Sequence, residues 1–118
     1  MTKGSTSDDP LRVDRRVQGP AVVLHVAGEI DMSTAPMLAE ECDQAIDSST
    51  DRVVVDLTDV TFFGSAGLAV LLDARQRGEQ AGVQIRLVAG NRPVLRSIEI
   101  AGVQDMLPVY PDLAGALA

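Results

Sequence analysis

The run Arg52-Val53-Val54-Val55-Asp56-Leu57 constrains the fold more than any other stretch of the chain. Its β-branched residues are continuous rather than alternating with polar ones, which marks a strand buried on both faces. Such a strand needs a sheet covered by other elements, and helical patterns flank it. Upstream, Leu38, Cys42, Ala45 and Ile46 fall at i, i+4, i+7 and i+8 and make one apolar stripe, with Glu40, Glu41 and Asp43 off it. Downstream, the spacing predicts a helix over Ser65 to Ala81 with Leu68, Leu71, Leu72 and the stem of Arg75 facing inward.

The remaining elements follow from turn and cap signals. Leu11 to Val17 alternates weakly and meets a turn at Gln18-Gly19-Pro20, and Ala21 to Ala27 is a clear strand, so the two form a hairpin. Gly28-Glu29-Ile30-Asp31 ends that strand. Ser33 or Thr34 caps the next helix, with Pro36 in its first turn. Gln84 to Ala89 is another strand. Asn91 caps a short helix that carries Val94, Leu95 and Ile98 inward and stops at Gly102. Met106 to Tyr110 reads as a last short strand and Asp112 to Ala118 as a terminal helical turn or two. The expected order is β-β-α-β-α-β-α-(β)-(α). It implies an α/β fold, with a mixed, mostly parallel sheet and helical crossovers.

At 118 residues the chain is expected to be one domain over 11–118 behind a flexible, polar tail over 1–10. That tail lacks the apolar core of a signal peptide, and no apolar run approaches the roughly 20 residues of a membrane helix. With the single cysteine, Cys42, this fits a reducing cytoplasm and no direct membrane insertion. Ten Lys+Arg against seventeen Asp+Glu give a net charge of −7, which argues against nucleic acid as a partner. Phe62, Phe63 and Tyr110 are the only aromatic residues, too few for a base-stacking platform.

Gly64-Ser65-Ala66-Gly67 puts one hydroxyl on a strand-to-helix turn. A nucleophile elbow reads G-x-S-x-G, and here Phe63 holds the first glycine's place. The base would be His25, mid-strand and with no evident acid to orient it, so no catalytic residue is expected. The loop lacks a nucleotide fingerprint, and no cofactor is expected. Asp31, Asp56 and Asp59 could lie near one another, but one histidine and one cysteine make a poor metal set, and no metal is expected. The plain reading of Ser65 is a helix N-cap. The sharper one begins from Phe62 and Phe63, one of them exposed. Phe63, Gly64, Leu68 and Ala69 would surround Ser65 with a small apolar patch suited to a protein partner. A phosphate on Ser65 would add a charge of about −2 to that patch.

The chain resembles the stand-alone anti-sigma factor antagonists of the STAS (sulphate transporter and anti-sigma factor antagonist) family. Three segments carry the resemblance. Gly28-Glu29-Ile30-Asp31 is similar to the family's G-E-[IL]-D. Val53-Val54-Val55-Asp56-Leu57 with Val60 and Phe62 is similar to its central strand and loop. Ser65-x-Gly67-Leu68 is similar to its S-[ST]-G-L. The similarity continues in order over roughly Val13 to Ala118.

The resemblance implies a compact β-α fold and a partner-switching role. The unmodified protein would bind an anti-sigma factor with a histidine-kinase-like ATPase fold and so release a sigma factor. That ATPase would phosphorylate the antagonist's serine, and a serine phosphatase would reverse the step. By residue match the acceptor is Ser65. Asp31 is a contact and positioning residue with Ser33 and Thr34 nearby, and Phe63, Gly64, Ala66, Gly67 and Leu68 complete the partner-binding set. The family loop reads D-S-[ST]-G, whereas Gly64-Ser65-Ala66-Gly67 lacks the acid and the second hydroxyl, which leaves Ser65 as the loop's one acceptor and its loop more flexible. Two other readings are an accessory subunit of a membrane lipid-transport ATPase and a nucleotide-binding sensor.

Overall fold

The computed structural model describes residues 10–48 and 51–118. Nine elements follow one another as β1 (Leu11–Gln18), β2 (Ala21–Ile30), α1 (Ala35–Asp47), β3 (Arg52–Phe63), α2 (Ser65–Ala81), β4 (Gln84–Val88), α3 (Arg92–Ala101), β5 (Val109–Tyr110) and α4 (Leu113–Leu117). The strands lie in the sheet in their sequence order. β1 and β2 form an antiparallel hairpin, and β2 to β5 are parallel. The expected α/β architecture and mixed sheet are therefore present. Of the tail expected over 1–10, residues 1–9 lie outside the described residues. The carbonyl of Pro10 accepts a hydrogen bond from Glu29 N–H at 2.8 Å.

The valine run does what its pattern requires. Val53, Val55 and Leu57 point into the main core with Leu24, Val26, Leu38, Leu71 and Leu87, where α1, α2 and α3 cover one face of the sheet. Val54 points the other way, into a smaller cluster with Val23, Val88 and Ala116 beneath α4. The short α4 is held by its C-terminal carbonyls. Arg86 donates to Ala116 O at 2.8 Å and Arg52 to Leu117 O, placing cations where the helix dipole favours them.

Several boundaries differ from expectation. β2 runs on to Ile30 and β3 to Phe63. Their pairing is broken by register shifts between His25 and Ala27 and between Gly28 and Glu29. Gly28 has φ +115°, and a Cβ there would stand 2.1 Å from Pro10 O, so the incoming chain and the bulge both demand glycine. The last strand shrinks from Met106–Tyr110 to two residues. Leu95, expected inward, is 40% exposed.

Candidate functional site

Past the bulges the extended ends of β2 and β3 stay paired, Glu29 with Phe62 and Ile30 with Phe63. Gly64 N–H donates to Ile30 O at 2.9 Å, so the Ile30-Asp31 and Gly64-Ser65 segments lie side by side. Gly67 makes the close fit. A Cβ on it would stand 2.6 Å from Ile30 Cγ2 and 3.0 Å from the Phe63 ring. The first turn of α2 thus sits directly on the end of β2.

Ser65 is not the N-cap. Gly64 holds that position, and its carbonyl accepts from Gly67 and Leu68 N–H. Ser65 is the first residue of α2, and its side chain is exposed. No hydrogen bond among the described residues occupies its hydroxyl. The capping explanation for the serine is therefore set aside. Nor does Gly64 serve backbone flexibility. With φ −93° and ψ −179° it is extended, a conformation open to any residue, and it is tied at both its N–H and its carbonyl.

One of the two phenylalanines is exposed, as expected, but it is not the one placed in the patch around Ser65. Phe63 is 4% exposed and belongs to the core, whereas Phe62 is 51% exposed. The Phe62 ring lies against Gly64, with Cε2 3.3 Å from the place of a Cβ there. Phe63 is thus corrected from a surface residue to a core one. Gly67 and Leu68 are also buried and can shape the site only from beneath, while Ala66 is partly buried and Ala69 exposed. Met32, 85% exposed, stands on the loop that follows Ile30, where no periodicity or motif of the sequence points to it.

That loop is organised around one carboxylate oxygen. Asp31 Oδ1 accepts from Ser33 N–H at 2.9 Å, Ser33 Oγ–H at 3.0 Å and Thr34 N–H at 3.1 Å. The Ser33 hydroxyl is the largest influence holding the Asp31 carboxyl below its ordinary value, followed by the Thr34 amide. Thr34 is buried. Its hydroxyl accepts from Asp31 N–H and donates to Glu29 O, both at 2.9 Å. Its role is internal to the loop. Asp31 Oδ2 accepts nothing among the described residues and is available to a cation or N–H from outside.

His25 faces two acids, against the expectation that none stands by it. Nδ1 lies 3.4 Å from Asp56 Oδ2, and Nε2 lies 2.9 Å from Asp59 Oδ2. Both ring nitrogens are thereby occupied, and the ring straddles the bulge instead of serving Ser65. Asp56 and Asp59 converge on His25 while Asp31 organises its own loop. Among the described residues no group of three His, Cys, Asp or Glu is placed to hold a metal ion. Among them also, no helix is long and apolar enough to cross a membrane.

Comparison with known proteins shows the family and the fold. The STAS domain family model matches residues 12–116. The anti-sigma-F factor antagonist RsfA of Mycobacterium tuberculosis is 35% identical over 83% of this chain and 78% of its own. An anti-sigma F factor antagonist of Paenibacillus polymyxa is 26% identical over 91% of this chain and 92% of its own. Among solved structures, an anti-sigma factor antagonist from Mycobacterium paratuberculosis superposes with a TM-score of 0.83, 31% identity and 91% of each chain covered.

Proposed function

The chain belongs to the STAS domain family, and from that premise we propose that it is an anti-sigma factor antagonist switched by phosphorylation of Ser65. The observation that carries this reading is the Ser65 hydroxyl. It is exposed, held by no hydrogen bond among the described residues, and set at the start of a helix beside an exposed aromatic ring. Relatives named as antagonists of anti-sigma factors support the partner class.

The unmodified protein docks on a kinase-fold anti-sigma factor through the surface made by Phe62, Met32, Ala69 and the Ser65 turn. The apolar side chains supply contact area, and Asp31 Oδ2 accepts from a donor on the partner. Transfer of the γ-phosphoryl group of ATP to Ser65 Oγ releases ADP and leaves the dianion on the first turn of α2. The N–H groups of Ser65 and Ala66 have no acceptor within the helix, and the dipole favours the charge there. The same charge, roughly −2, lies on a turn that carried none and drives the partner off. A serine phosphatase restores binding. The protein acts by binding and needs no catalytic group or cofactor of its own.

Intact-mass measurement after incubation with ATP and a kinase-fold anti-sigma factor tests the reading. One added phosphate is expected, absent in Ser65→Ala, with Ser65→Glu binding the partner at least ~10-fold more weakly than Ser65→Ala. Equal binding by the two variants would rule out the switch. Phe62→Ala should weaken the complex by about 1–3 kcal/mol without loss of fold. Co-purification with a transporter subunit instead of a soluble ATPase would move the protein to the transport reading.

A further inference from the structure

We infer that the groove between α3 and the edge strand β5 is a second protein-docking surface, which takes an extended, carboxylate-bearing segment of a partner as an added strand. A cavity of about 780 Å³ runs between these elements, and Leu95, Ile98, Ile100, Leu107 and Val109 supply its apolar lining. Ile100 is 75% exposed, and Met106 nearby is also exposed. Ile98 and Leu107 are buried in the core beneath it, so the apolar surface open to solvent is that of Leu95, Ile100 and Met106.

Two features of the groove define what it fits. The first is the backbone of β5. Leu87 N–H donates to Pro108 O at 2.9 Å and Ala89 N–H to Tyr110 O at 3.0 Å, so residues 108 and 110 face β4. Backbone groups alternate along a strand, and Val109 N–H and C=O point to the open edge of the sheet. An extended segment can pair there while its alternate side chains enter the cavity.

The second feature is charge. Arg12, Arg15, Arg75 and Arg77 pair with carboxylates, and Arg52 and Arg86 bind carbonyls of α4. Arg92 and Arg96 form no ion pair among the described residues, and both line this cavity one helical turn apart. They sit in the N-terminal half of α3, where the helix dipole adds to their field. Glu99 borders the other half of the cavity, so carboxylates are drawn to the Arg92–Arg96 end. The chain's net charge of −7 disfavours an acidic segment over most of its surface, and the Arg92–Arg96 end of the groove offsets that locally.

The test uses the full chain and a fluorescein-labelled short peptide alternating valine and glutamate, with a valine–lysine peptide as its counterpart. The valine–glutamate peptide should bind, slow hydrogen exchange at the Val109 amide, and bind roughly tenfold or more weakly to the Arg92→Glu/Arg96→Glu double variant. Both arginines are exposed, so circular dichroism should show an unchanged fold. Ser65→Glu should leave peptide affinity unchanged, which separates this surface from the phosphorylation switch. No binding at about 1 mM peptide, equal binding of the lysine peptide, or no protection at Val109 would overturn the inference. Self-association of the chain that is abolished by Ile100→Asp would overturn it too, by assigning the groove to a second copy.

Discussion

The ring of Phe62 occupies the space beside Gly64, its Cε2 only 3.3 Å from where a Cβ on that glycine would stand. An aromatic face here lies against bare backbone. The turn before Ser65 is thus apolar where an acidic side chain would have made it anionic. The pairing is one of space and charge, since the Gly64 backbone does not require glycine.

Gly64→Asp should therefore change recognition more than stability. Gly and Asp differ at an N-cap by only a few tenths of a kcal/mol, and the end of the Phe62 ring has solvent to move into. The unfolding free energy should stay within about 0.5 kcal/mol of the parent. Affinity for the anti-sigma factor should fall by about tenfold, as a carboxylate enters an apolar contact. Titration calorimetry with the purified partner measures the second effect, and chemical denaturation the first.

Gly67→Ala should behave in the opposite way. Its Cβ would approach Ile30 Cγ2 to 2.6 Å, between the end of β2 and the first turn of α2. Neither element can yield freely, because Gly64 N–H is bonded to Ile30 O. Overpacking of this kind costs about 1–3 kcal/mol, despite alanine's higher helix propensity. Urea denaturation should show a lower midpoint with an unchanged m-value.

The backbone order of this fold was legible because valine runs, apolar helical stripes and glycine stops are local signals. The site was less legible because long-range contacts and bulges shape it. Buried residues in the second half of β3 are Leu57, Val60 and Phe63, spaced by three, and two register shifts break the period of two. No count along the strand could decide that Phe62 and not Phe63 faces solvent. Asn91 makes the same point. It holds the N-cap position, yet its side chain donates to Leu57 O and Val60 O, 34 and 31 residues away in sequence, and leaves the cap unmade. Ser33 and Thr34 were placed in the right loop, but their hydroxyls serve Asp31 and Glu29, partners fixed only once β2 turns.

The Asp31 loop carries an acid dependence. Hydrogen bonds, from the Ser33 hydroxyl first, hold the Asp31 carboxyl below its ordinary value in the folded state. A depressed folded-state pKa stabilises above the unfolded value, about 3.9, and that stabilisation disappears as pH falls through the folded value. Ser33→Ala should raise the Asp31 pKa toward the ordinary carboxylate range, so the loop loosens at a higher pH. Carboxyl-carbon NMR titration of Asp31 in both proteins reads the shift directly. An unchanged midpoint in Ser33→Ala would show that the Thr34 amide, not the Ser33 hydroxyl, sets it.

Cys42 provides an alkaline counterpart in the core. It is 1% exposed on the buried stripe of α1, and burial, with Asp43 and Glu41 adding to it, pushes its thiol up to about 12. At pH 8 the thiolate fraction is on the order of one in ten thousand, and the sulfur has no path to solvent. Native protein should resist a disulfide reagent that modifies the urea-unfolded chain at once, with the slow native reaction following the opening rate. The raised folded-state pKa also fixes the sign of the pH effect on stability. Its contribution is complete below the ordinary thiol value, about 8.5, and is lost as pH rises from there through about 12. Cys42→Ala should cost about 1 kcal/mol at neutral pH through lost packing. It should also flatten the decline in stability between pH 8.5 and 10.5, about one unfolded pKa and two units above it. Denaturation series at these pH values, parent against variant, measure both effects in one experiment.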